Sequence, residues 1–228
     1  MSSTRHSDAR LARLVRRGDA RAFEVLYARY RDPLHRYCRA LTGHPEDAEE
    51  AVQTTMLRAY RALSAREVAV LRPWLYRVAH NACLDLIRER PEWEALSPLT
   101  PDVGPDAHER QEARERVEEL RRDLGALPPL SRSALLLREV TGLSHREIAE
   151  ALETSPDDAK RLIHAAREDL LASSAGRRVA CREVRRRLSD GDARVLRGRR
   201  LNAHLDQCAG CRSFRAALAG RPGQLAAV

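Results

Sequence analysis

Aromatic residues make up only 4% of the 228-residue chain, lysine occurs once, at position 160, and no apolar run is long. The scarcity of rings and β-branched clusters leaves Leu, Val and Ala to build the core, a composition that favours helices over sheets. The longest apolar stretches, such as residues 134–137, fall far short of the roughly 20 residues that cross a bilayer. Charges run throughout residues 1–17 and leave no apolar segment typical of a secretion signal, so the expectation is a cytoplasmic chain without a membrane span. Five cysteines in such a chain favour reduced thiols or a metal site over a disulfide framework. Catalytic signatures are also missing. There is no Ser-His-Asp order, phosphate-cradling glycine loop or deaminase-type H-x-E with P-C-x-x-C, so an enzyme acting on nucleic acid finds no support.

What is present is arginine. Forty of the 41 basic residues are Arg, and the formal net charge is +8. Guanidinium matches phosphate and guanine geometry, which suits a nucleic-acid partner, although a GC-rich genome gives the same arginine bias. The charge is divided along the chain: net +4 over residues 1–95, −5 over 96–172 and +9 over 173–228. The proline-rich stretch 97–105 predicts a linker (96–105), and the Ser-Ser-Ala-Gly run at 173–176 predicts a second break. Three units follow: 1–95, 106–172 and 177–219. Residues 220–228 are expected to fray.

In the first unit, Phe23, Leu26, Tyr27, Tyr30, Leu34, Tyr37 and Leu41 recur at helical spacing, with Gly43 as a stop and Pro33 expected to kink or restart the helix. A second helix, about 45–63, is acidic at its start and basic at its end, in keeping with the helix dipole. A third begins near Pro73. Trp74, Leu75, Val78, Ala82 and Leu86 line one side, and Arg77, His80, Asn81, Asp85, Arg88 and Arg90 much of the rest. Rings beside arginine and amide groups suit single-stranded DNA, where bases stack and phosphates meet cations. Cys38 and Cys83 lie alone in helices and read as small buried hydrophobes.

The second unit carries the strongest local signal. Residues 131–140 form an apolar helix ended by Gly142. Ser144 and Glu147 make a capping box, and Ile148, Ala149 and Leu152 give a short helix its buried side. After a turn at Glu153 and Thr154, Ser155, Pro156, Asp157 and Asp158 open another helix with an N-cap, an N1 proline and first-turn acids. Two capped helices joined by a short turn behind a supporting helix make a helix-turn-helix, whose second helix is sized for the major groove.

Residues 47–60, 71–90 and 127–170 together resemble regions two and four of the extracytoplasmic-function sigma factors, the small two-domain members of the sigma-70 family. The resemblance covers about residues 8–171. It implies an all-α protein that gives RNA polymerase its promoter specificity, with core polymerase (the β′ clamp helices and the β flap) and promoter DNA as partners. Asp47, Glu50, Gln53 and Arg58 match the segment that docks on the clamp helices. Trp74, Tyr76, Arg77, Asn81, Asp85 and Arg88 fall in the strand-opening helix, and residues 64–72 in the loop that captures a flipped base. The helix from Ser155 matches the reader of the minus-thirty-five element, with Lys160, Arg161, His164 and Arg167. It departs from the family's pattern: Asp157, Asp158, Ala159 and Lys160 stand where Gly-Thr-Val-Lys is common, and Leu162 and Ala165 where arginines are usual. Weak or partner-assisted recognition of that element is the expectation.

The third unit lies beyond a minimal sigma factor. His204, Cys208 and Cys211 form H-x3-C-x2-C, with Cys181 upstream. His204 and Cys208 share a helix face, a turn at Ala209 and Gly210 returns Cys211, and Cys181 completes a tetrahedral Cys3His set. One zinc ion is the expected cofactor, with copper and cadmium as soft competitors. The pattern resembles the zinc-binding fold of anti-sigma factors and the cysteine-rich tails of metal-responsive sigma factors. That implies a small helical metal-binding domain regulating its own chain, by docking on the sigma domains or by supporting activity when loaded. The competing class is a metal-responsive helix-turn-helix regulator acting alone on DNA; it would not need the 47–60 docking helix.

Overall fold

The computed structural model describes residues 7–89, 107–191 and 196–220. The linker expected at 96–105 and the tail beyond 220 lie outside them. Among the described residues there are eleven helices and no strand: α1 (Asp8–Arg16), α2 (Ala20–Thr42), α3 (Pro45–Ala65), α4 (Leu71–Glu89), α5 (Ala107–Ala126), α6 (Pro129–Thr141), α7 (His145–Leu152), α8 (Pro156–Arg177), α9 (Cys181–Asp190), α10 (Arg199–Gln207) and α11 (Ala209–Gly220). The chain is all-α, and no described helix is long and apolar enough to cross a membrane. Two compact units divide it, Met1–His164 and Ala165–Val228.

Local chemistry sets the ends of most elements in the first unit. Asp19 caps α2, accepting from the Ala22 N–H at 3.3 Å. Gly43 ends it at φ 81°, a left-handed conformation that glycine adopts without steric cost. Pro33 does not restart α2, which runs unbroken because Tyr30, Leu34, Tyr37 and Leu41 are buried on both sides of it. Tertiary burial outweighs the loss of one backbone donor. Asp8 at the start of α1 accepts from Tyr30 Oη and pairs with Arg29, fastening α1 to α2. Burial, and then the Asp8 carboxylate, raise the Tyr30 phenol above its ordinary range.

α2 packs on α3, α4 and α6, while α4 packs on α3 and α7. The core centres on Leu34, Tyr37, Cys38, Val52, Tyr76, Ala79 and Cys83. Cys38 and Cys83 are both buried, as expected of small hydrophobes. The buried face of α4 is Leu75, Tyr76, Ala79, His80, Ala82 and Cys83, rotated from the stripe read in the sequence. Its buried imidazole has a partner inside, with Tyr37 Oη 3.2 Å from His80 Nδ1, and the Tyr37 and Tyr76 rings meet edge to face at 5.7 Å.

In the second unit, Val184, Leu188, Leu201, Leu205 and Cys211 form a small core, with Val179, Leu196, Cys208, Phe214 and Leu218 against it. The second break expected at 173–176 does not occur. Those residues are the last turns of α8, and the glycine in them is a point of close approach rather than a stop.

Candidate nucleic-acid interface and metal centre

The capping box at α7 forms in full. The Glu147 N–H donates to Ser144 Oγ at 3.3 Å, and the Ser144 N–H donates to Glu147 Oε2 at 2.8 Å. Burial, the largest single influence, pushes the Glu147 carboxyl up, but the hydrogen bonds from Ser144 and the charge and hydrogen bond of Arg72 together outweigh it and hold the group below its ordinary range. Glu153, left-handed at φ 54°, turns the chain into α8. There the Asp158 N–H donates to Ser155 Oγ at 3.0 Å, and Ser155 Oγ donates to Asp158 Oδ2 at 2.6 Å. Asp158 also pairs with Arg161. Of the two acids in the first turn of α8, Asp158 is therefore tied to the capping Ser155 and to a cationic partner. Lys160, Arg161, His164 and Arg167 are exposed on α8.

On α4, Trp74 is half-buried and Arg77, with Val78, half-exposed; Asn81, Asp85 and Arg88 are exposed. Trp74, Arg77 and Asn81 share a 470 Å³ cleft with Arg58, Ala62, Arg66 and Val78. Trp74 and Arg77 also line a second cavity of 630 Å³, with Val68, Ala69 and Val70 on one side and Arg146, Ala149, Glu150, Glu153, Thr154 and Pro156 on the other. Within this unit, α4 is tied to the helix-turn-helix. Arg72 donates to the Thr141 carbonyl at 2.6 Å and pairs with Glu147 at 3.4 Å, and Arg77 pairs with Glu153.

Two expected contact residues are core residues instead. Tyr76 is 2% exposed, its ring held by Tyr37, so it offers no face to a base. Asp47 is 5% exposed in the first turn of α3 and presents no docking surface. Glu50 and Gln53 are exposed on α3, and with them Leu57, at 58% exposure, lies along the same helical face. Leu57 was not picked out from the sequence, although a leucine on the polar side of an amphipathic helix is a visible signal. Arg58 turns towards the Trp74 cleft rather than towards Glu50 and Gln53.

In the second unit, Cys181 at the start of α9, His204 on α10, and Cys208 and Cys211 around the α10–α11 turn come together. Their candidate ligand atoms all lie within 4.8 Å of one another. Cys181 Sγ is 3.8 Å from both Cys208 Sγ and His204 Nε2. A tetrahedron with zinc–sulfur bonds of about 2.3 Å has an edge of about 3.8 Å, so the quartet fits such an ion. His204 Nδ1 lies 3.0 Å from the Gly176 carbonyl. The Cys208 thiol is drawn down to about 7, first by the backbone N–H of Cys211. Burial pushes Cys211 up to about 11. The Arg212 guanidinium closes the end of α10, donating to the Leu205 and Asp206 carbonyls at 2.8 and 2.7 Å.

Residues 26–91 match the family Sigma-70 region 2, and residues 118–170 match Sigma-70, region 4. The chain is 36% identical over 155 residues to the ECF RNA polymerase sigma factor SigM of Mycobacterium tuberculosis, an alignment covering 68% of this chain and 78% of that protein. It is 32% identical over 174 residues to the RNA polymerase sigma factor NccH of Alcaligenes xylosoxydans xylosoxydans, covering 72% and 93%. The solved structure of CnrH in complex with the cytosolic domain of CnrY superposes with a TM-score of 0.58 at 30% identity, over 72% of this chain and 95% of that one. These helices and sequence matches define a sigma-70 type transcription initiation factor. The chain belongs to the ECF sigma factors of that family and acts in promoter-directed initiation, binding core RNA polymerase and promoter DNA.

Proposed function

We propose that this sigma factor carries its own metal-responsive regulatory domain. The observation that carries the reading is the Cys181, His204, Cys208 and Cys211 quartet at tetrahedral spacing in a unit with a small apolar core. Zinc is the ion its thiolate-rich donor set suits, with Cu(I) and Cd²⁺ as competitors. A bound ion would join three chain segments, and metal-binding free energy in so small a domain is folding free energy. Nothing in this reading requires a separate sensor.

Within the sigma part, we assign single-stranded promoter contact to Trp74, Arg77 and Asn81, with Arg58 and Arg66 from the same cleft. Asp85 and Arg88 extend that face of α4, and the loop at 66–70 supplies the wall beside which a flipped base would lodge. Duplex reading falls to Lys160, Arg161, His164 and Arg167 on α8. Polymerase docking, on the β′ clamp helices, falls to Glu50, Gln53 and Leu57 on α3; the helix-turn-helix unit would meet the β flap. The domain plan is 1–95 for docking and strand opening, 106–172 for duplex reading, and a metal domain that includes the last turns of α8. A chain with these partners works in the cytoplasm.

The test is reconstituted transcription from a genome-selected promoter with purified core polymerase, comparing zinc-loaded full-length protein with Cys208→Ser. Regulation by the metal domain predicts promoter output that differs between the two, whereas equal output assigns the domain no regulatory role. A protein that binds promoter DNA but forms no core complex would favour the regulator acting alone.

A further inference from the structure

We propose that Gly176 is a positioning residue of the metal centre, and that metal capture fastens the last turns of α8. This deepens, and rests on, the metal reading above.

Two observations converge on one carbonyl and its glycine, and a third joins the same two helices. First, His204 Nδ1 lies 3.0 Å from the Gly176 carbonyl. A carbonyl can only accept, so Nδ1 carries the hydrogen. The Nε2 lone pair is thereby left facing Cys181 Sγ, 3.8 Å away. Metal-ligating histidines commonly donate their second N–H in this way, which fixes the tautomer and the ring plane. Second, a Cβ on residue 176 would meet His204 N at 2.8 Å, Ala203 Cβ at 3.0 Å and the Arg200 carbonyl oxygen at 3.0 Å. Two of those atoms are backbone and none is the far end of a flexible side chain, so only glycine lets α8 approach α10 this closely. Third, Arg199 at the start of α10 pairs with Glu168 and Asp169 on α8, at 2.7 and 3.4 Å.

The Gly176 carbonyl belongs to the last turn of α8, where helix carbonyls lack intrahelical donors. It accepts from the Val179 N–H at 3.1 Å as well as from His204. α8 thus contributes no metal ligand, yet it stands one hydrogen bond from one. An ion that immobilises the imidazole immobilises the carbonyl it donates to. The helix whose last turns are held in this way is the one whose opening turns carry Lys160, Arg161 and His164.

The experiment uses the full-length protein, zinc-loaded and chelator-stripped. Metal content and zinc affinity come first: about one ion per chain, lost in Cys208→Ser, supports the quartet. No bound ion, or full affinity in that variant, removes the quartet and this inference with it. With the quartet established, amide hydrogen exchange over residues 165–177 is compared with and without zinc. Zinc should slow exchange of the last α8 amides by about ten-fold or more, with α4 as the unresponsive reference. Unchanged exchange overturns the inference while leaving the metal site standing. Nitrogen-15 spectra of zinc-loaded protein should show His204 protonated at Nδ1 and metallated at Nε2; the opposite tautomer overturns it. Gly176→Ala should lower zinc affinity by about 10–100-fold, the usual loss for an outer-shell partner, and an unchanged affinity counts against the role. Arg199→Ala should keep the zinc-dependent protection. Its loss there would assign the coupling to the ion pairs instead.

Discussion

Two rings on α4 sit two residues apart in different surroundings, Trp74 half-buried beside the clefts and Tyr76 in the core. Trp74 borders both clefts, so alanine there should weaken promoter melting with little effect on polymerase binding; stacking is worth about 1–3 kcal/mol per base. Permanganate reactivity of the minus-ten thymines reads this, and normal melting would remove Trp74 from the DNA. Tyr76→Ala should instead destabilise the domain by about 3–5 kcal/mol, because its ring is packed on Tyr37. His80, also buried, has its pKa pushed down to about 4 by loss of solvent. The unfolded imidazole, near 6.5, binds a proton that the folded one refuses. Stability is therefore whole above about pH 6.5 and falls as pH drops towards 4, by about 1.4 kcal/mol per pH unit in that window. Urea denaturation of wild type and His80→Gln between pH 7 and 5 should show the slope in the wild type and a shallower one in the variant. Parallel slopes would contradict it.

At the scale of elements, the helix ends were readable because capping is local chemistry. Ser144 with Glu147, Ser155 with Asp158, and Gly43 and Gly142 each act within a few residues of themselves. The gathering of His204, Cys208 and Cys211 was readable for the same reason, since their spacing is a pattern within a few residues, and Cys181 joins them from 23 positions before His204. The rotation of α4 was not, since Tyr76 and His80 become core residues only through Tyr37, some forty positions earlier. Nor was the continuity of α8 through Gly176, whose neighbours come from α10. Also illegible was the tie between α4 and α7. Arg77 pairs there with Glu153, so the arginine assigned to DNA is already engaged. Glu153→Ala should raise affinity for single-stranded minus-ten DNA modestly, no more than about five-fold, because an exposed pair is worth about 1 kcal/mol at most. The gain should shrink at high salt. Fluorescence anisotropy at two ionic strengths measures both, and unchanged or weakened binding would contradict the tie.

Across the whole molecule, the two units differ in how much apolar core they have. The first has a broad apolar core spanning α1 to α4 and α6 to α8. The second buries few side chains, and in a unit so small a metal is a common staple. Stripping the metal should therefore cost the second unit its protease resistance while the first keeps its own. Limited proteolysis with mass spectrometry would map cleavage to residues 178–220, and equal resistance with and without metal would count against a structural ion. The central claim, that a sigma factor here carries its own metal-dependent control, meets its most direct test in run-off transcription with purified core polymerase. Zinc-loaded wild type and Cys208→Ser are compared at equal concentration, with metal content measured alongside. The account predicts about one ion per wild-type chain, none in the variant, and promoter-specific transcript levels that differ several-fold. A variant that keeps its metal, or one that loses it and transcribes like the wild type, would contradict it.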